Sequence, residues 1–78
     1  MSEKLPRVDA KKAEKILKKL GFKLVRQSGS HRIYKNPEGK RVTLPYHTKR
    51  ILHPKLLKSI LRDAGITVKE FREMLRPK

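Results

Sequence analysis

The chain contains no cysteine and no tryptophan, and only seven carboxylates among 78 residues. Without cysteine, neither a disulfide framework nor a thiolate metal site is available. The three histidines and the scattered acids show no metal-ligand spacing, so neither a metal nor any other cofactor is expected. Long apolar runs are also missing: the longest are pairs such as Ile16-Leu17 and Leu56-Leu57. That excludes a spanning helix, and the N-terminus lacks the apolar stretch of a signal peptide. The expectation is a soluble, cytoplasmic protein with no membrane association. A chain this short is one domain, 1–78, with an ordered part from about 8 to 75. Such a domain buries only about 60% of the surface its unfolded chain exposes, so its core is thin.

What the chain has in excess is positive charge. Its 22 Lys and Arg against 7 Asp and Glu leave a formal charge of +15. Self-repulsion of that size works against a compact state, whereas binding to phosphates releases condensed counterions and supplies strong, sequence-independent affinity. A polyanion is therefore the expected partner, with nucleic acid the leading candidate. An anionic membrane surface or an acidic protein would be drawn by the same charge, and a merely solvated lysine-rich surface is the bland alternative.

Periodicity divides the chain into helices around a short β region. Ala13, Ile16, Leu17 and Leu20 recur at the i, i+3, i+4, i+7 spacing of one buried helical stripe, with Asp9 to cap its start and Gly21 to end it. The opposite face carries Lys11, Lys12, Lys15, Lys18 and Lys19, most of them read as solvated. "F-K-L-V-R" (22–26), "H-R-I-Y-K" (31–35) and "K-R-V-T-L" (40–44) alternate with period two and are separated by "S-G-S" and "N-P-E-G" turns. This predicts an antiparallel three-stranded meander. Phe22, Leu24, Ile33, Val42 and Leu44 are expected to face the helices, and Lys23, Arg32, Tyr34, Arg41 and Thr43 the solvent.

Pro45 stops the third strand, and a helix begins near Pro54, with His53 as its cap, burying Leu57, Ile60, Leu61 and Ala64 before Gly65 closes it. Thr67 and Glu70 form a capping box that starts a last short helix burying Val68, Phe71 and Leu75. The order is α-β-β-β-α with an extra C-terminal helix, an α+β class, and residues 1–6 and 76–78 are expected to be loose.

Four segments in this order, "L-K-K-L-G-F" (17–22), "G-S-H-R-I-Y" (29–34), "P-Y-H" (45–47) and "L-L-K-S-I-L-R-D-A-G-I-T-V-K-E-F" (56–71), resemble the HicA toxins, small mRNA interferases of bacteria and archaea. The resemblance covers roughly residues 10–75. It implies a double-stranded-RNA-binding-domain-like fold, cleavage of mRNA independent of translation, and neutralisation by a HicB-type antitoxin protein. It also implies that the histidine of the Gly-Ser-His signature, here His31, is catalytic. That signature is intact.

The chemistry agrees with that implication. RNA carries its own nucleophile in the 2′-hydroxyl, so a metal-independent endoribonuclease needs a base, an acid and cations for the charge on the phosphorane. Histidine serves either of the first two roles. Strict alternation, however, places His31 on the same side as Ile33, toward the helices, unless it opens to solvent at the end of the sheet. His47 is a second catalytic or substrate-contacting candidate, with a structural hydrogen bond as its plain alternative. Gly29 allows close approach of an RNA backbone, Ser30 adjoins it, and Arg32, Lys35 and Arg41 are placed for phosphates. Tyr34 is a candidate to stack on a base, or else packs on a cross-strand neighbour. A non-catalytic basic RNA-binding module of the same fold is the alternative reading, and four aromatic residues in total argue against it. A DNA-binding or ribosome-associated protein is a third, but no helix-turn-helix pairing is present.

Overall fold

Local signals place every element. In the computed structural model, which describes residues 5–47 and 50–76, Asp9 caps α1 (Ala10–Lys19) by accepting from the Lys12 N–H at 2.9 Å. Three strands follow, β1 (Lys23–Ser28), β2 (His31–Lys35) and β3 (Arg41–Pro45), paired antiparallel in the order β1-β2-β3. The chain then enters α2 (Pro54–Ala64) and α3 (Val68–Leu75), giving the α+β, double-stranded-RNA-binding-domain-like order expected from the sequence. Of the termini expected to be loose, residues 1–4 and 77–78 lie outside the described residues, as do Thr48 and Lys49 in the connection to α2.

The caps behave as their residue types require. Pro54 occupies the first turn of α2, and His53 Nδ1 accepts from the Lys55 N–H at 3.1 Å. Gly65 ends α2 with φ +79°, in the left-handed region that glycine enters without steric cost. Thr67 and Glu70 complete the reciprocal capping box of α3. The segment before α1 is tied to the segment before α2 by a bond from the Leu52 N–H to the Val8 carbonyl at 2.8 Å and by a bridge between Asp9 and Ile51.

α1 and α2 pack on one face of the sheet at β3, α3 packs against both helices, and the core fills the space between. Ala13, Ile16 and Leu17 of α1, Leu57, Ile60 and Leu61 of α2, and Phe71 of α3 are buried against Val42 and Leu44 of β3. Full burial of such a side chain stabilises by about 1.5–3 kcal/mol each, which is how so small a domain offsets its self-repulsion. The other face of the sheet carries no covering element.

Sequence expectations for four residues of the sheet fail. Tyr34, expected in solvent, is fully buried, while Ile33, expected in the core, lies on the uncovered face. Register explains the exchange: Tyr34 pairs with Val42 and Arg32 with Leu44, and cross-strand partners share a face. Because Val42 and Leu44 are buried, Tyr34 and Arg32 must point inward and Ile33 outward. The tyrosine ring supplies more apolar area than isoleucine, and its hydroxyl finds an acceptor inside. Leu24, expected in the core, is 43% exposed on edge strand β1, where Val25 forms a bulge between the Leu24–Tyr34 and Arg26–Ile33 pairs.

Candidate active site on the open face of the sheet

The Gly29-Ser30 turn sets the position of His31. Ser28 pairs directly with His31, leaving two residues in the loop. Gly29 has φ +58° while Ser30 does not enter positive φ, the pattern of a turn with glycine at its first central position. A side chain at 29 would be strained there, although nothing stands within 4 Å of where its Cβ would lie. His31 is therefore the first residue of the central strand, and it is exposed.

The tension between alternation and exposure disappears once the faces are known. His31 does share its face with Ile33, but that face is the uncovered one. Three cross-strand rows make it up: Ser28, His31 and Pro45 at one end; Arg26, Ile33 and Thr43 in the middle; Lys23, Lys35 and Arg41 at the other end. No carboxylate and no aromatic ring stands among them. A polyanion laid on this surface meets a histidine, four cations and small neutral groups.

The inner face behind His31 is polar at one place. Glu14, the single acid of α1, sits 14% exposed and accepts hydrogen bonds from Arg32 at 2.8 Å and from the Tyr34 hydroxyl. The Arg32 guanidinium carbon also sits over the Tyr46 ring, 3.8 Å from its centre. Its Nε is buried and has no hydrogen-bond partner among the described residues. Burial works to raise the Glu14 carboxyl, but the Tyr34 and Arg32 hydrogen bonds and the nearby Lys18 charge outweigh it, holding it below the usual range. Burial pushes the Tyr34 hydroxyl up, and the bond to the Glu14 carboxylate pushes it further the same way. It is a neutral donor throughout the physiological range.

Arg32 and Tyr34 are accordingly not in the positions expected of RNA contacts. Tyr34 has no exposed ring face on which a base could stack, and the Arg32 guanidinium is committed to Glu14 and Tyr46 on the side away from His31. Lys35 and Arg41 do lie on the open face, paired with each other. Ser30 contributes its backbone: its carbonyl accepts from the Tyr46 N–H at 2.6 Å, one step beyond the His31–Pro45 pair. That bond keeps the chain at Tyr46-His47 beside the start of β2, so the exposed His47 belongs to the same end of the sheet as His31. The Glu14, Arg32 and Tyr46 arrangement thus braces, from behind, the two segments that carry the histidines.

Sequence reasoning missed Glu14, Lys23 and Arg26. A symmetric turn between Lys35 and Arg41 would have placed Val42 opposite Tyr34, and that pairing is the signal that could have found the open face. Among the described residues no three His, Asp or Glu side chains gather where a metal ion could be held. No helix among them is long and apolar enough to cross a membrane.

Comparison with protein families matches the chain to the model described as HicA toxin of bacterial toxin-antitoxin, over residues 10–66, more than half of its length. Comparison of the chain with curated proteins gives no match.

Proposed function

Because the chain belongs to the HicA toxin family of bacterial toxin-antitoxin systems, we propose that it is a metal-independent endoribonuclease that cleaves mRNA with His31 as general acid or base. The observation that carries this reading is the exposed position of His31 at the head of β2, on a face with four cations and no carboxylate. Such a face attracts the phosphate chain and leaves the imidazole free to reach it.

The reaction asks little more of the protein. A base removes the proton of the 2′-hydroxyl, and the oxygen attacks the adjacent phosphorus. The P–O5′ bond breaks as an acid returns a proton to the leaving oxygen, which leaves a 2′,3′-cyclic phosphate. His31 fills one of the two proton-transfer roles, and His47, held at the same end of the sheet, is the candidate for the other or for a contact to substrate. Arg26, one row from His31, is the cation of the face placed to balance the charge gained by the phosphorane. A partner that silences this activity has to cover the face, and an acidic HicB-type antitoxin has the charge to do so. The protein acts in the cytoplasm, where its mRNA substrate is found.

The test uses purified protein and mRNA in EDTA, beside a His31→Ala variant. Wild type is expected to cut and the variant to lose at least about a hundredfold, the usual scale of a general acid or base. Equal cleavage by both rejects His31, and no cleavage by either leaves a basic RNA-binding module. His47→Ala, assayed in parallel, separates a catalytic role, which lowers kcat, from a structural one, which lowers thermal stability.

A further inference from the structure

The row at the far end of the open face has a composition that the fold alone does not account for. Lys23 pairs with Lys35, and Lys35 with Arg41, so three like charges stand directly side by side across the sheet. All three are exposed, and among the described residues none has an ion-pair partner; Glu38, in the turn just beyond, makes none with them. Directly opposed like charges destabilise a sheet. An anion bound across the row removes that repulsion, so the arrangement is suited to a ligand rather than to the empty state.

The row also lies at a defined distance from the histidine. Lys35 is four residues along β2 from His31, or about 13 Å at the rise of an antiparallel strand. That is about the reach of two nucleotides of extended single-stranded RNA, with Arg26 standing between. The aromatic census points the same way. Phe22, Tyr34 and Phe71 are buried, and Arg32 covers one face of Tyr46, so the open face offers no phenyl or phenol ring for a base to stack on.

We infer that Lys23, Lys35 and Arg41 form a phosphate-binding subsite for single-stranded RNA, holding the backbone about two nucleotides from the bond that His31 attacks. The strand runs along β2 and is gripped by its phosphates, so cleavage tolerates many base sequences. This inference rests on the reading of His31 given above, and its test separates the two.

The variant Lys23→Gln/Lys35→Gln/Arg41→Gln is compared with Lys11→Gln/Lys12→Gln/Lys15→Gln, which removes the same charge from the exposed side of α1. Binding of a fluorescein-labelled oligouridylate of about twelve nucleotides is followed by anisotropy over a range of salt concentrations. Loss of three phosphate contacts at about 0.7 each lowers the slope of log K against log salt by about 2, with at least roughly tenfold weaker binding at low salt. The α1 variant is expected to change both much less. In cleavage assays the sheet variant raises KM for long RNA and leaves kcat near wild type, while a dinucleotide too short to reach the row is cut equally by both.

Equal slopes for the two variants, or equal losses on the dinucleotide and the long substrate, overturn the inference; the row would then face a protein partner. Because repulsion is relieved, the sheet variant should melt no lower than wild type, and a lower melting point would mean that the row serves the fold. If wild type cuts no RNA, the ribonuclease reading falls, yet the anisotropy comparison still decides whether the row binds phosphates.

Discussion

Glu14 is the residue on which the region behind the histidines depends. It is the one acid of α1, on a helix otherwise crowded with lysine, and it accepts from two strand residues that point inward. Its carboxyl is held below the ordinary value of 4.5, so it contributes stability above that pH and loses it as the pH falls through the lower folded-state value. Wild type is therefore expected to lose stability on acidification below about pH 4.5, and Glu14→Gln to show a flatter acid limb and lower stability at pH 7. Denaturant titrations at several pH values check this; an identical acid limb in the variant would show that Glu14 is not the responsible group. His31 was readable as a candidate from the resemblance that four segments carry together. Its exposure was not, because sequence alternation relates His31 to Ile33 without saying which face is covered.

At the scale of elements, the helices were legible, and the strands were legible in order but not in the facing of their residues. Each helix combines a cap, a stripe and a stop within a dozen residues, and such local signals survive whatever the chain packs against. His53 gives α2 an uncommon cap, accepting through Nδ1. His53→Ala is expected to cost about 1 kcal/mol in chemical denaturation, and His53→Asp to restore it with a carboxylate that also suits the helix N-terminus. The strands are less local. In β1 the Val25 bulge breaks the period of two, so alternation counted through it assigns Leu24 and Arg26 wrongly relative to each other. Deleting Val25 leaves Leu24 opposite Tyr34 and Arg26 opposite Ile33 and removes a side chain that is 54% exposed. Stability should then stay within about 1 kcal/mol, while the straightened edge pairs more readily with a second copy. Light scattering over a concentration series measures that association, and a deletion that unfolds the chain would show the bulge to be needed by the core.

For the molecule as a whole, charge and size act together. The principal extents are 36 × 29 × 25 Å, comparable to the screening length of about 30 Å at 0.01 M salt and well beyond the 8 Å or so at 0.15 M. With a formal charge of +15, repulsion acts across the entire domain at low salt and only between neighbours at physiological salt. The melting temperature is expected to rise over that range by several degrees, roughly 4–8 °C per kcal/mol for a domain of this size. A melting temperature that does not move would mean that the charges are already spaced widely enough not to interact. Composition determined the sign of the surface charge, since no arrangement of 22 cations and 7 acids on so small a surface leaves it neutral. Local patterns determined the order of helices and strands, because caps, turns and periods act between residues a few positions apart. Only the tertiary structure decided which face of the sheet is open, and with it that His31 stands among cations while Tyr34 and Arg32 are turned inward to Glu14. That choice depends on cross-strand register and on where three helices find their apolar area, neither of which is a property of any single segment.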